Sequence, residues 1–193
     1  MKILARKPAK PIHVIDIEAS GFGRDSYPIE IGIVMADGSE YQTLVRPESG
    51  WWHWDKSAQE VHGISRADLF KYGRSVSQVC RDINRMFAGA TLYSDCWVHD
   101  SYWFRRLFDS SNMESLVQCK AIEYLLNDEQ QQLYQALKQQ LAARMGMPMH
   151  RALNDAVVIQ KALQNLTGES AEAADRREAL LPEMQPYINL RMA

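Results

Sequence analysis

Hydrophobic residues near the N-terminus fall in short runs that are typical of β-strands. Residues 12–18 (IHVIDIE) and 29–36 (IEIGIVMA) are rich in Ile and Val, and residues 41–46 form a third run. Asp37 and Gly38 separate the second run from the third and predict a hairpin turn. This part of the chain is therefore predicted to form a β-meander.

Farther along the chain, apolar residues recur with the three- and four-residue spacing of helices. Ser57 begins a short predicted helix that ends at His62, where Gly63 follows as a terminator. Ser75 opens a second helix, whose apolar positions extend to residue 87. Residues 91–94 (TLYS) then predict a short buried strand.

Three further helices are predicted in the second half of the chain. One starts near Asp100, and two longer ones cover residues 128–145 and 151–166, each followed by a glycine. Strands followed by helices, with a further short strand between them, indicate an α/β architecture in which helices pack on a mixed sheet.

The composition is that of an ordinary globular protein, with 193 residues of which 46% are hydrophobic. No apolar run approaches the roughly 20 residues that a membrane span needs, and no secretory signal is expected. Three cysteines without close spacing predict reduced thiols and a cytoplasmic location. One domain is predicted over residues 1–168, with its core at 12–166 and a docked or mobile tail at 169–193.

The net charge of −2 argues against a basic protein that coats nucleic acid without regard to sequence. It does not argue against an enzyme that holds metal ions with carboxylates, because such a site concentrates acid. Several cations are available either as phosphate contacts or as solvated surface charges. They are Arg105, Arg106, Lys71, Arg74 and the basic segment 6–10.

Asp16 and Glu18 are the most informative pair in the chain. Residues two apart on a strand point to the same face, so both carboxylates project together from the end of the first strand. Their mutual repulsion is relieved most simply by a divalent cation. The alternative is a solvated strand end. Residues 19–23 (ASGFG) then break the strand and open a cleft beside the two acids.

His150 and Asp155 form a second candidate group near the end of the domain. His150 lies in the loop before the last helix, and Asp155 lies in the first turns of that helix. Histidine titrates near neutral pH and can accept a proton from an attacking water beside a metal ligand. The alternative is a histidine that caps the helix and an acid that favours its positive end.

A third acid is needed if two metal ions are to be held. Asp95 and Asp100 both follow the strand at residues 91–94. Asp100 is favoured, because the helix that starts there fixes its side chain close to the end of a strand. Asp95 is then a supporting group near the site.

These motifs, in this order and at these separations, resemble the DEDDh exonucleases, which include ribonuclease T, oligoribonuclease and the proofreading subunit of bacterial replicative polymerase. The matching positions are Asp16 with Glu18, residues 61–65 (VHGIS), Asp100 with a following Trp-Phe pair, and His150 with Asp155. The resemblance covers about residues 12–166. It implies a ribonuclease H-like fold, which is an α/β fold with a mixed five-stranded sheet flanked by helices.

The resemblance also implies an activity, namely 3′–5′ hydrolysis of single-stranded RNA or DNA, with RNA slightly favoured. Two Mg²⁺ or Mn²⁺ ions would stabilise the attacking and leaving oxygens. The implied metal ligands are Asp16, Glu18, Asp100 and Asp155, and the implied general base is His150. The implied contacts to the terminal nucleotide are Ala19, Ser20, Gly21, Phe22 and His62. A homodimer is expected from the same resemblance.

Three points stay open. Family members often carry His-Asn shortly before the third acid, where this chain has Asp95 and Cys96. Phe22 either stacks on a base or packs on the protein body. In the loop at residues 51–54 (WWHW), one tryptophan stacks on a base, contacts a second subunit, or lies in the core, for which Trp54 is the first candidate.

Two other functions compete with the exonuclease hypothesis. A phosphodiesterase acting on dinucleotides or short oligoribonucleotides suits a chain with few basic residues near its cleft. A nucleic-acid or protein adaptor that has lost its chemistry is the second alternative. The presence of competent residues at all five catalytic positions weighs against the adaptor.

Overall fold

The computed structural model describes residues 11–168, which build one five-stranded mixed sheet with the order β3-β2-β1-β4-β5. Strands β1 to β3 form the predicted antiparallel meander, and β4 and β5 run parallel to β1. The predicted tail at 169–193 and the basic segment 6–10 lie outside the described residues. The strands are β1 (His13–Ala19), β2 (Pro28–Val34), β3 (Glu40–Leu44), β4 (Thr91–Ser94) and β5 (Gln118–Ala121).

Six α-helices flank the sheet within residues 11–168, and a short 3-10 turn follows β5. None of the helices described is both long and apolar enough to cross a bilayer. The helices are α1 (Lys56–His62), α2 (Arg66–Tyr72), α3 (Val76–Phe87), α4 (Trp97–Ser111), α5 (Asp128–Met145) and α6 (Ala152–Thr167).

The predicted helix starts need two corrections. The side chain of Asp55, not Ser57, caps α1 by accepting a hydrogen bond from the backbone N–H of Ser57. Asp55 comes directly before the helix with an extended backbone, which is the conformation that a cap requires. Helix α4 begins at Trp97, so Asp100 lies inside its first turn and not before it.

Two elements were not predicted individually from the local pattern. Helix α2 is only seven residues long, but Ser65 and Asp68 form a reciprocal capping box at its start. Strand β5 has only four residues, and half of them are exposed, so it lacks a strong apolar signal. The five-stranded sheet expected from the family resemblance is nevertheless present.

The alternation of side chains along β1 separates two hydrophobic layers. Ile15 and Ile17 pack on one face, in the core that contains residues of α3 and α4. Val14 packs on the other face, in the core that contains residues of α5 and α6. Because successive strand residues point to opposite faces, Asp16 and Glu18 share the face of Val14. The two acids therefore project on the side where α5 and α6 lie.

Helix α6 begins directly against the sheet at Gly32 of β2. A Cβ atom on Gly32 would lie 2.2 Å from backbone atoms of both Ala152 and Leu153, so only glycine permits this contact. Gly32 is the pairing partner of Asp16 on β1. The first turn of α6 is thereby held next to the acidic end of β1.

Candidate active site

A cleft of ≈ 780 Å³ lies at the acidic end of β1. Its lining includes side chains from β1, α4, α5, α6 and the segment around α1. All five residues predicted to be catalytic are part of the lining, although they come from distant parts of the chain. They are Asp16, Glu18, Asp100, His150 and Asp155.

Three of these residues come particularly close to one another. One ligand atom each from Glu18, His150 and Asp155 lies within 4.8 Å of the other two. Glu18 stands near the end of β1, and Asp155 lies in the first turn of α6. His150 has a left-handed backbone with φ of 60°, which is uncommon for a residue other than glycine, and its side chain is exposed.

Asp155 is held by the loop that carries His150. Its Oδ2 accepts a hydrogen bond of 2.9 Å from the backbone N–H of His150. Its Oδ1 is buried and has no hydrogen-bond partner among residues 11–168. A buried carboxylate oxygen without a partner is costly, so this atom is suited to binding a cation.

Asp100 is the most deeply buried of the acids, with 1% of its surface exposed. Ser94, the last residue of β4, donates a hydrogen bond of 2.5 Å to its Oδ2. The Ser94 hydroxyl in turn accepts from the backbone N–H of Cys96, which fixes the start of α4 beside the strand end. Burial raises the pKa of Asp100 to about 8, with Asp95 and Glu18 adding repulsion.

The crowding of the acids perturbs the other carboxyl groups in the same direction. Burial raises the pKa of Asp16 well above its usual value, and repulsion from Asp100, Glu18 and Asp155 adds to it. Burial and repulsion from Asp155 raise the pKa of Glu18 to about 7. The pKa of Asp155 is also raised, first by burial. The cluster therefore holds more negative charge than its protein surroundings compensate.

The donor set fits divalent metal ions. Glu18, Asp155 and His150 could supply ligand atoms to one cation, and the carboxylates of Asp16 and Asp100 line the same cleft. The unpartnered Oδ1 of Asp155 and the raised pKa values of the acids are both relieved when a cation is bound.

A buried ion pair behind the cluster was not predicted from the sequence. Glu30 of β2 is fully buried and accepts hydrogen bonds from Arg151 Nε at 3.1 Å and Nη2 at 2.6 Å. It also accepts from the backbone N–H of Ala152 at 3.0 Å, and from the side chain of Gln42 at 2.8 Å. The signal was a single glutamate inside an otherwise apolar strand, but its partner lies 121 residues away.

The residues predicted to contact substrate divide into two groups. Ala19, Gly21, Phe22 and His62 line the cleft. Ser20 is not among the lining residues, and its role as a contact stays a prediction. The residue is 1% exposed, and its hydroxyl lies 3.1 Å from His53 Nδ1 and accepts a hydrogen bond from the backbone N–H of Tyr27. Ser20 therefore fixes the loop after β1.

Phe22 combines the two interpretations that the sequence left open. Its ring packs edge-on against His99 at a centroid distance of 5.1 Å and lies 6.1 Å from Trp103. The side chain nevertheless stays 66% exposed at the cleft. It is therefore supported from behind while one surface is available for stacking.

His62 presents an unpartnered donor. It is 5% exposed, and its Nδ1 accepts a hydrogen bond of 3.0 Å from the backbone N–H of Ile64. In the neutral imidazole the proton is therefore on Nε2, and this atom is buried without a partner among the described residues. Burial lowers the pKa of His62 and so favours the neutral form.

The tryptophans at 51–54 have three different environments. Trp51, not Trp54, is the fully buried one, and it stacks on Tyr27 at 4.9 Å. Trp54 is partly buried, and its Nε1 donates to Gln59 at 2.8 Å. Trp52 is 75% exposed. Trp51 takes the core position because it follows the β3 segment, where the chain still runs against the sheet core.

Among the described residues, the cations considered either as phosphate contacts or as surface charges do not line the cleft. Arg74 forms an ion pair with Asp82, and Arg106 donates to the backbone carbonyl of Arg24. Lys71 lies over the ring of Tyr72, and Arg105 is exposed on α4. Lys138 of α5, which was not singled out from the sequence, does line the cleft.

No protein family's sequence profile matches the chain, and no curated protein matches it in sequence. Solved structures match it in fold. The zinc-ion-bound form of an E. coli Exonuclease I complex with single-stranded DNA has a TM-score of 0.65 and 13% identity, covering 87% of this chain and 42% of that chain. E. coli Exonuclease I in complex with a dA16 oligonucleotide has a TM-score of 0.64 and 12% identity, covering 83% of this chain and 42% of that chain.

A moderately thermophilic Exonuclease I from Methylocaldum szegediense has a TM-score of 0.62 and 14% identity, covering 80% of this chain and 40% of that chain. This chain therefore matches only about 40% of the length of those proteins. At these identities the likeness establishes the fold. It confirms the predicted ribonuclease H-like arrangement of a mixed five-stranded sheet with flanking helices.

Proposed function

We propose that this chain is a metal-dependent 3′–5′ exonuclease of the DEDDh type that acts on single-stranded nucleic acid. The observation that carries the proposal is the convergence of Asp16, Glu18, Asp100, His150 and Asp155 on one cleft. The fold shared with Exonuclease I supports it, because those proteins were crystallised with single-stranded oligonucleotides. These ligands are DNA, so the slight preference for RNA has no support from the comparisons.

The carboxylates of Asp16, Glu18, Asp100 and Asp155 would hold two divalent ions, with Mg²⁺ or Mn²⁺ as the proposed species. Bound there, such ions supply positive charge that stabilises the attacking and leaving oxygens of a phosphodiester. The protein contributes a rigid donor set, since each acid is fixed at the end of a strand or in the first turn of a helix.

His150 is proposed to accept the proton of the attacking water. Its imidazole is exposed to the cleft, and one of its nitrogens lies within 4.8 Å of ligand atoms of Glu18 and Asp155. A positioned imidazole is the side chain that most often serves as a general base. The hydrogen bond from its backbone N–H to Asp155 links its position to that of an acid.

Phe22 and His62 are proposed to bind the terminal nucleotide. The exposed face of Phe22 offers a stacking surface for a base, which can contribute on the order of 1–3 kcal/mol. His62 offers an unsatisfied N–H donor for an oxygen of the sugar or phosphate. Ala19 and Gly21 allow close approach of the strand, because neither has a large side chain.

The test is degradation of 5′-labelled single-stranded DNA and RNA with Mg²⁺ or Mn²⁺, followed on a gel. The expected result is a ladder that shortens from the 3′ end and is abolished by a chelator. Asp16→Asn should remove the activity without changing the fold, whereas Asp109→Asn, an exposed acid on α4, serves as the matched control. Full activity in Asp16→Asn would contradict the proposal.

A second candidate is a phosphodiesterase specific for dinucleotides and short oligoribonucleotides. The ≈ 780 Å³ cleft favours it, because that volume falls in the range of small-molecule sites. Comparing turnover of a dinucleotide with that of a 16-mer separates the two candidates. An adaptor without chemistry predicts no cleavage at any length. The homodimer and the cytoplasmic location stay predictions from the sequence.

A further inference from the structure

Lys138 of α5 is an unexpected cation in an acidic cleft. It is the only lysine or arginine in the cleft lining within residues 11–168. Its side chain is 22% exposed, and its Nζ donates a hydrogen bond of 2.5 Å to Asp95 Oδ2. The proposed mechanism, with its acidic metal ligands and its histidine base, gives Lys138 no role.

A second contact fixes the Asp95 carboxylate that holds the Lys138 ammonium. Tyr134, one turn earlier on α5, donates its hydroxyl to the same oxygen of Asp95 at 2.9 Å. The side chain of Asp95 is only 7% exposed, so this three-residue group is largely shielded from water. Asp95 itself directly follows β4 and lies close to the start of α4. The group therefore links α5 to the strand end that carries the third acid.

Lys138 lines the same cleft as the catalytic acids. Asp95, Asp16 and Asp155 all favour its protonated form, and together they raise its pKa although burial opposes this. An ammonium has three N–H donors, and Asp95 is its one hydrogen-bond partner among the described residues. Donors therefore remain for a ligand that enters the cleft.

We propose that Lys138 contacts a phosphate of the bound strand and that Asp95 and Tyr134 position its ammonium. This inference rests on the proposed function and extends it to the recognition of substrate. Ammonium groups bind phosphate as compact point charges. The proposal also gives a role to Asp95, which stands where relatives often carry His-Asn. The negatively charged nucleic acid would thereby meet one fixed cation beside the acids.

The kinetic test compares Lys138→Met with Lys138→Arg on single-stranded DNA. Loss of one charge-assisted hydrogen bond should raise KM about 10- to 100-fold in Lys138→Met, with a smaller change in kcat. Lys138→Arg should stay within about threefold of wild type, since it keeps the charge. Lys161→Met, an exposed lysine on α6, is the matched control and should behave as wild type.

The binding test separates a phosphate contact from a simple counter-charge. Calorimetry measures thymidine 5′-monophosphate and thymidine binding without metal, and then measures Mn²⁺ binding. The expected result is that Lys138→Met loses the preference for the monophosphate over the nucleoside. Tighter Mn²⁺ binding with an unchanged monophosphate preference would overturn the proposal, because Lys138 would then only neutralise the acids.

Asp95→Asn tests the positioning role. It should raise KM, and combining it with Lys138→Met should add no further increase, because both remove one interaction. Additive effects would refute positioning through Lys138. If wild type degrades DNA while Lys138→Met keeps a normal KM, this inference fails alone. If neither wild type nor its variants cleave, the proposed function fails instead.

Discussion

Glu18 and Glu30 face each other across β1 and β2 as direct partners, yet their surroundings differ sharply. Glu30 is fully buried and satisfied by Arg151, by a backbone N–H of α6 and by Gln42. Glu18 is only partly buried, opens into the cleft, and has a pKa raised to about 7. One carboxylate anchors a helix, and the other contributes to an uncompensated negative cluster.

This difference shows how two glutamates on one sheet face acquire separate roles. A buried acid that receives a guanidinium and backbone donors is neutralised by the protein itself, so removing it leaves these donors without their partner. An acid that is crowded by other acids instead keeps binding capacity for an external cation. Arg151 connects the two, because it pairs with Glu30 while its charge lowers the pKa of Glu18.

Of the two glutamates, Glu18 should matter more for activity, and Glu18→Gln should lower it strongly. Losing one charge of the cluster weakens the charge stabilisation that divalent ions provide, which is worth several kcal/mol and corresponds to on the order of 10³ in turnover. Single-turnover degradation of labelled DNA measures the loss. The far-ultraviolet circular dichroism spectrum should remain that of wild type. Activity within threefold of wild type would place Glu18 outside the metal ligands.

Glu30→Gln should show the opposite pattern. It removes the buried carboxylate that accepts from the guanidinium of Arg151, whose side chain is 41% exposed, and losing such a charge-assisted hydrogen bond costs about 1–3 kcal/mol. Urea denaturation measures the loss as a lower midpoint, with Glu40→Gln, an exposed glutamate on β3, as the matched control. Turnover at low temperature, where the variant is still folded, should fall far less than in Glu18→Gln. An unchanged midpoint would refute the anchoring role.

The sequence predicted the roles of residues that lie close together along the chain, but not the pairing of residues that lie far apart. The acids at 16 and 18 and the pair at 150 and 155 lie within short motifs at element ends, where strand alternation and helix position fix their direction. The partners Glu30 with Arg151 and Asp95 with Lys138 are separated by 121 and 43 residues. Local periodicity contains no information about which distant side chains meet, so these pairs appear only in the folded chain.

The same reasoning explains which elements were predicted. Helices α5 and α6 carry long apolar repeats and glycine terminators, so their bounds follow closely from the pattern. Strand β5 owes its existence to pairing with β4, because its own four residues include two exposed positions. The bonds of the Ser20 hydroxyl within the loop, to His53 and to the backbone N–H of Tyr27, depend on residues 33 and 7 positions away and were not predicted.

His150→Ala tests the proposed general base, and the expected loss of kcat is smaller than that for Glu18→Gln. Removing a general base should lower kcat by about 10²-fold. Metal affinity should be largely retained, because the acids that supply most ligands are untouched. Calorimetric Mn²⁺ titration beside the kinetics separates the two effects. Exogenous imidazole should restore part of the rate, whereas an unchanged kcat would remove His150 from the mechanism.

The pH dependence of stability gives the smallest expected difference between Glu18 and Glu30. Folding raises the pKa of Glu18 from 4.5 to about 7, so the metal-free protein loses stability as pH rises through that interval. Glu18→Gln removes this loss and should stabilise the metal-free protein by about 0.5–2 kcal/mol at pH 7.5, with no gain near pH 4. Glu30→Gln should destabilise the protein at both pH values.

Saturating Mn²⁺ should reduce or reverse the stability gain of Glu18→Gln, because the four acids of the wild type bind the cation more strongly than the three acids of the variant. Chemical denaturation of wild type and both variants at the two pH values, with and without Mn²⁺, measures these differences in the free energy of unfolding. A gain in Glu18→Gln that is equal at pH 4 and pH 7.5 would show that Glu18 is not the source of the repulsion.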